Sequence, residues 1–543
     1  MITGIAIENF KGISDRVELE LRPITLLFGA NSAGKSTVFH ALHYAREIFE
    51  RHNLDADQTL SGGKYIDLGG FDGFIHGHDR SRKVTIRITV DLSESKLPTF
   101  DADFDLMGEI LQLRFNSLVR KPQSTAVEIS IGWSNLEGCP YIEATRIFYD
   151  DSLFAEITAE PNLRGVVVST LVMNHPVLER VEQDSQTDAG QALPEEGDTL
   201  LSLAMAYCGE QIAPGDGQRI RLSGRGDALP SMDKPLEWDL ETTPSSADEA
   251  SVNRLVNQSK VAEAIVIALS DLIVGPCQLI RDQLKNFRYL GPLRETPPRN
   301  YQPPRFADPA RWSSGLGAWD ALHNGLDEFV QSVGSWLGDE DKLNSGYRIE
   351  RRNFKEIDLA DPLILKLLTG RAFDEADDDA KVSLDGIPTL SRLVIVPLGS
   401  ELELRPHDVG IGISQVVPVV VTALQSGQQL LAIEQPELHL HPKLQAELGD
   451  LFIEAALGHR RHLIILETHS EHLILRLLRR IRETTDGDLP KDKLPLKPDE
   501  VAVYFVEGTP SGVNAIRLRV DETGDFIDQW PKGFFEERAK ELF

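Results

Sequence analysis

The spacing of apolar residues changes period twice within the first 50 residues. Val17, Leu19 and Leu21 alternate with polar neighbours, the two-residue period of a half-buried strand. Ile24 to Phe28 is a short apolar run that enters a glycine-rich turn. From Ser36 the spacing becomes helical, with Val38, Leu42 and Ala45 on one face. The segment therefore predicts two strands, a third buried strand, a loop and a helix. Alternation then returns. Val84, Ile86, Ile88 and Val90 form one set, Leu111, Leu113 and Phe115 a second, and Val127, Ile129, Ile131 and Trp133 a third. Period two in neighbouring segments predicts an antiparallel sheet. Residues 181–200 and 213–235 are polar and rich in Gly, Pro and Ser, and read as loops. Residues 248–286 carry a helical stripe through Leu255, Ala262, Ile265, Leu269 and Leu272, too short for a long coiled-coil arm. In the last 150 residues Leu393 and Ile395, then Leu402 and Leu404, read as strands. Leu430 to Ile433 and Leu463 to Leu466 are continuous apolar runs, as buried parallel strands require.

Length adds that 543 residues exceed one ordinary core, so two or three lobes are expected. No run of about 18 apolar residues predicts a membrane span. The start, MITGIAIENFKG, lacks the basic and apolar regions of a secretory leader. Cys139, Cys208 and Cys277 suggest neither a disulfide framework nor a zinc knuckle, so a cytoplasmic setting is expected. The formal net charge of −29 opposes general binding to phosphate backbones. Contact with nucleic acid would need a partner or a local basic patch. Leu475 to Arg482 is the candidate, because Arg476 and Arg480 share a helix face beside Arg479 and Arg482. The acidic run Asp374 to Asp379 reads as a solvated loop.

The strongest chemical signal is GANSAGKST, comprising Gly29, Ala30, Asn31, Ser32, Ala33, Gly34, Lys35, Ser36 and Thr37. It satisfies G-x-x-x-x-G-K-[ST] between an apolar strand and a helix, the phosphate-binding P-loop. Glycines let backbone N–H groups curl around a β-phosphate, and the helix N-terminus faces the anion. Lys35 adds positive charge against β- and γ-oxygens, and the Ser36 hydroxyl is a ligand for Mg²⁺. A second signal is LLAIEQPELHLHP, Leu430 to Pro442, in which an apolar strand ends on a carboxylate, the Walker B pattern. Glu434 would sit near the Mg²⁺, where Asp is the usual residue. ABC-type ATPases normally follow it with the glutamate that polarises the attacking water. Here that position holds Gln435, whose amide can orient water but cannot accept its proton. Glu437, two residues on, is the possible substitute. In ABC-type heads a histidine after this strand touches the γ-phosphate, and His469, in THS after the strand Leu463–Leu466, is the candidate. In HDVGIGISQVV, Gly410 and Gly412 free the backbone and Ser414 can cap a following apolar helix. That loop reads as a signature loop closing over nucleotide held by a second subunit, although it is not spelled LSGGQ. His439 and His441 form an H-x-H with no third metal ligand suggested nearby.

Together these residues resemble the RecF/OLD-type ATPase families. IAIENFKGI (Ile5 to Ile13), IEQPELHLHP (Ile433 to Pro442), YLGPLRE (Tyr289 to Glu295) and the tail GDFIDQWPKGFFEERAKELF carry the resemblance. It covers about the first 80 and last 260 residues. It implies an α/β, ABC-type P-loop ATPase head with an antiparallel β subdomain and an inserted helical lobe. Residues 1–100 and 391–543 would form the split head, with 101–390 inserted, β-rich and then helical. The family includes PtuA-like ATPase subunits of antiphage systems, which act with a separate nuclease, and OLD nucleases with a TOPRIM domain. VYFVEG, Val503 to Gly508, looks like a first TOPRIM strand, but too little chain follows it for a domain of about a hundred residues. It is read as closing strands of the head. The expected function is an ATP-driven switch using ATP and Mg²⁺, forming at least a head-to-head dimer and gating a separate effector in antiphage defence. The alternatives are a RecF-like repair or chromosome-maintenance ATPase acting on DNA, and a transporter ATPase.

Overall fold

The computed structural model describes residues 1–57, 59, 66–100, 122–172, 175–178, 220–222, 226–237, 249–359, 364, 386–510 and 512–531, with no side-chain description for 220–221 and 249–265. The strand expected at Leu111–Phe115, the loop 181–200, the acidic run from Asp374, Cys208 and the tail beyond residue 531 lie outside them.

Two sheets organise the described residues. Strands β1 (Ile2–Glu8), β2 (Val17–Glu20), β4 (Val84–Asp91), β5 (Ser124–Ser134), β6 (Cys139–Tyr149), β7 (Ser152–Ala159), β8 (Val166–Leu171) and β9 (Ile220–Leu222) form an 8-stranded antiparallel sheet in the order β2-β1-β4-β5-β6-β7-β8-β9. The alternation in β4 is visible as strict alternation of buried and half-buried residues. This sheet runs without a break from residues before 100 into residues after it.

The second sheet has six strands in the order β10-β13-β14-β3-β15-β16. They are β3 (Ile24–Phe28), β10 (Phe287–Leu290), β13 (Leu430–Glu434), β14 (Leu463–Glu467), β15 (Val501–Thr509) and β16 (Gly512–Leu518). All neighbours are parallel except the β15–β16 hairpin. β3, β13 and β14 are buried at every position, because helices and the first sheet cover both faces. Their residues divide between two cores. Leu27, Ala432 and Ile465 face the antiparallel sheet and helix α1 (Ser36–Arg51). Leu26, Ile433 and Leu466 face the opposite core.

The first core also takes helix α2 (Gly70–Phe74) and the C-terminal half of α3 (Glu249–Lys285), where Leu269 and Leu272 are buried. The opposite core takes α4 (Leu316–Asn324), α5 (Asp327–Gly338), α6 (Ile411–Ala423), α7 (Pro442–Leu457) and α8 (Glu471–Asp486), with the ribbon β11 (Tyr347–Lys355) and β12 (Thr389–Pro397). Thus β10, α4, α5 and β11, all between residues 101 and 390, pack with the C-terminal elements. Leu402 and Leu404 do not form the expected strand. Leu404 makes one isolated bridge to Ile395, and Leu402 is 58% exposed, so no ladder continues there.

Candidate nucleotide site

β3 stops at Phe28, and the chain turns at Gly29 with φ 143°. A Cβ at Gly29 would lie 2.1 Å from the Val506 carbonyl oxygen of β15, and one at Gly34 (φ 100°) 2.5 Å from the Val513 side chain. Only glycine lets the loop sit this close to the β15–β16 hairpin. Ala30, Asn31 and Ser32 form the exposed tip, whereas Ala33 and Thr37 are buried. Lys35 is 3% exposed and lies across the loop. Its Nζ donates to the carbonyls of Gly29 (3.1 Å) and Ala30 (2.9 Å).

Glu434 ends β13 and Glu467 ends β14, directly opposite each other in the parallel register. The Ser36 hydroxyl donates to Glu467 Oε2 at 2.6 Å, and Lys35 Nζ stands 3.5 Å from Glu467 Oε1. Tyr289 of β10 donates to Glu434 Oε1 at 2.8 Å. Burial and then the like charge of Glu467 push the Glu434 carboxyl up to about 7, against hydrogen bonds from Tyr289 and Ser36. Two buried carboxylates and a hydroxyl are hard oxygen donors, the set that suits Mg²⁺, and the cost of ionising Glu434 beside Glu467 is the cost a cation relieves.

The turn after β13 is strained at Gln435, with φ 43°, and its N–H donates to the Glu467 carbonyl at 2.7 Å. Glu437 accepts the His469 N–H at 2.7 Å, and burial raises its carboxyl. Burial, then Lys35, lowers the His469 imidazole, whose Nε2 is buried without a hydrogen-bond partner in the protein. Lys35, Ser36, Glu434, Gln435, Glu437 and His469 thus gather at the C-terminal edge of one parallel sheet.

Four participants were not singled out in the sequence. Glu467 ends LIILE as Glu434 ends LLAIE, so the string itself carried the signal. Arg294, within YLGPLRE, is 4% exposed. Its Nη2 donates to the carbonyls of Glu434 (2.6 Å) and Gln435 (3.2 Å). Gln415 of α6 in turn donates to the Arg294 carbonyl at 2.6 Å and accepts its N–H at 3.2 Å. Burial brings the Arg294 guanidinium down to about 10 despite Glu437 and Glu434. Tyr289, Arg294 and Gln415 reach the site only through tertiary contact.

At the candidate signature loop Gly410 is the N-cap of α6, without a side-chain cap. Ser414 does not cap the helix. It is buried, and its hydroxyl donates to the Ile411 carbonyl at 3.0 Å because the helix begins three residues before it. A Cβ at Gly412 would lie 2.8 Å from the His439 carbonyl, so this glycine serves close approach within the chain. Gly410 has open space around it, and Ile411 beside it is 60% exposed. His441 accepts the Lys443 N–H at 3.3 Å as the N-cap of α7. The basic segment is a correction to expectation. Arg476 and Arg480 do share a face of α8, but that face packs on α7, where both bind Asp450.

This strand order, with the P-loop and acidic strand ends on one edge, is the α/β arrangement of a P-loop nucleotide-binding head. Family models agree at the level of AAA-type ATPase domains. The model described as "AAA ATPase domain" matches residues 1–124, and "AAA domain, putative AbiEii toxin, Type IV TA system" matches residues 220–476. "Protein of unknown function (DUF3696)" matches residues 496–543. No curated protein matches the chain. Solved structures similar to it include an Smc head bound to the C-terminal winged-helix domain of ScpA, at 8% identity and TM-score 0.35, covering 95% of this chain and 98% of that one. An Smc head with an extended coiled coil bound to the C-terminal domain of ScpA, from Pyrococcus furiosus, shows 9% identity and TM-score 0.34 over 100% and 98%. The SMC head domain from Thermotoga maritima shows 8% identity and TM-score 0.31 over 96% and 99%. These likenesses are distant, and the fold rests on the strand order and the P-loop.

Proposed function

We propose that this chain binds and hydrolyses ATP as a conformational switch, and serves as the ATPase subunit of a bacterial antiphage defence system that gates a separate effector. The observation that carries the ATPase reading is the gathering of Lys35, Ser36, Glu434, Glu437 and His469 from distant segments at one sheet edge. Ser36 and Glu434 would hold Mg²⁺, which would supply charge neutralisation for the nucleotide's phosphates. Lys35 turns from its own loop carbonyls to the phosphates. His469, through its unpartnered Nε2, is the group that would meet the γ-phosphate. Gln435 orients water without taking its proton, which makes turnover slow unless Glu437 serves as the base. The defence role draws on the AbiEii description of the matching AAA model and on the RecF/OLD and PtuA-like motifs. Direct action on DNA has less support, because Arg476 and Arg480 are committed to ion pairs inside the chain.

The α6 N-terminus at Gly410–Gly412 is the surface offered to a second head, with exposed Ile411 beside it. The test combines nucleotide binding with association. Lys35→Ala abolishes ATP binding by titration calorimetry. Gly410→Leu, placed where it meets no neighbour, leaves ATP affinity intact and reduces ATP-induced association by sedimentation. Unchanged binding in Lys35→Ala removes the P-loop from the mechanism, and unchanged association in Gly410→Leu removes the trans contact.

A further inference from the structure

We infer that Glu467 is a second carboxylate of the Mg²⁺–nucleotide site and couples the two ligands, so that the pocket favours metal-bound over metal-free nucleotide. This rests on the nucleotide-site reading above. Glu467 is in register with Glu434 across β13–β14, on the strand between Walker B and the P-loop strand. It touches both P-loop side chains that matter most, Ser36 at 2.6 Å and Lys35 at 3.5 Å. It is itself only 7% exposed. Its backbone carbonyl also accepts the Gln435 N–H, so it braces the turn that holds the candidate water-handling residues.

The consequence follows from charge. Without a cation, an incoming triphosphate meets two carboxylates in a poorly solvated pocket and must draw Lys35 away from one of them. Like charges so placed repel strongly. With a divalent cation the same carboxylates become favourable neighbours, and Lys35 is freed for phosphate. Metal and nucleotide then raise each other's affinity by one common factor. Glu434 alone, held by Tyr289, supplies only part of this coupling.

The experiment measures mant-ATP affinity of the full chain in EDTA and in Mg²⁺, for wild type, Glu467→Gln and Glu467→Asp, with Mn²⁺ electron paramagnetic resonance as a direct readout of metal in the complex. Glu467→Gln keeps an oxygen acceptor for Ser36 but loses the charge. Its metal-free affinity is expected to rise and its enhancement by Mg²⁺ to fall, narrowing the ratio roughly fivefold or more, within the range of such couplings. The Mn²⁺ signal of the ternary complex weakens in parallel. Glu467→Asp retains the charge and keeps most of the wild-type ratio. Equal loss of affinity with and without metal in Glu467→Gln would show a purely structural residue and overturn the inference, as would an unchanged ratio. Failure of wild type to bind mant-ATP at all would instead sink the nucleotide-site reading.

Discussion

Two buried charge clusters lie in the same half of the molecule and are built on opposite terms. Between α7 and α8, Asp450 accepts a two-pronged contact from Arg480 (2.7 and 2.8 Å) and a third bond from Arg476 (2.6 Å), which also holds Glu447 at 2.8 Å. Burial opposes the charge on Asp450, but its arginines outweigh it and hold the carboxyl below the usual range. At the edge of the parallel sheet the balance is reversed. Burial dominates, raising Glu434 and Glu437 and lowering Arg294 and His469. Burial alone therefore does not mark a site. The difference lies in whether the protein itself completes the pairing, and groups left electrostatically dissatisfied gather where a charged ligand is expected.

The largest expected effect probes the dissatisfied cluster. Gln435→Glu supplies a carboxylate where the turn holds an amide, and steady-state ATP hydrolysis rises by up to ~10²–10⁴-fold, the usual worth of a positioned base. Fast wild-type turnover that collapses in Glu437→Gln would make Glu437 the base and remove the reason for a slow switch. Asp450→Asn breaks the satisfied cluster and leaves buried Arg480 and half-buried Arg476 underpaired. Unfolding stability falls by about 3–5 kcal/mol in urea titration. Because the folded-state value of Asp450 is depressed, its contribution is present above the ordinary value of 3.8 and disappears as the pH falls below it. A mutant whose stability matches wild type at neutral pH would erase the contrast.

The third prediction has the opposite sign. The Glu434 carboxyl is raised from 4.5 to about 7, so the folded protein binds its proton more tightly and stability declines as the pH rises between those values. Glu434→Gln removes that penalty. Without Mg²⁺ or nucleotide, it is expected to gain roughly 1–3 kcal/mol at pH 8 and little at pH 4. A loss at pH 8 would place Glu434 among the satisfied charges. The smallest effect belongs to Arg479, which pairs with Glu483 at 2.6 Å while more than half exposed. Arg479→Ala changes thermal stability by no more than ~1 kcal/mol, and a larger drop would mean the satisfied cluster extends to the surface.

The P-loop and Walker B strand were legible because their chemistry is local. A phosphate cradle needs its glycines, lysine and hydroxyl at fixed spacing, and a buried strand must be apolar until its polar end. Glu467 was equally visible as a string, but its importance depends on β14 lying between β13 and β3, a fact of sheet order. Arg294 and Gln415 are 121 residues apart, and no local pattern joins them. Helical spacing placed Arg476 and Arg480 on one face correctly, yet could not say that α7 covers it. Ser414 looked like a cap because serine favours helix starts, while Gly410, with no side chain to offer, actually starts the helix.

The packing of β3 between β14 and β15 also bears on how the chain is made. Ile24 pairs with Ile464 on one side and Val501 on the other, and the P-loop glycines rest on Val506 and Val513. A nascent chain emerging from the ribosome therefore carries its phosphate loop early but cannot fix its shape until residues near 513 have been synthesised. Contacts this distant close slowly. Until β14 and β15 have been made, β3 has no sheet neighbour to pair with. Ligand capture and completion of the fold become the same late event.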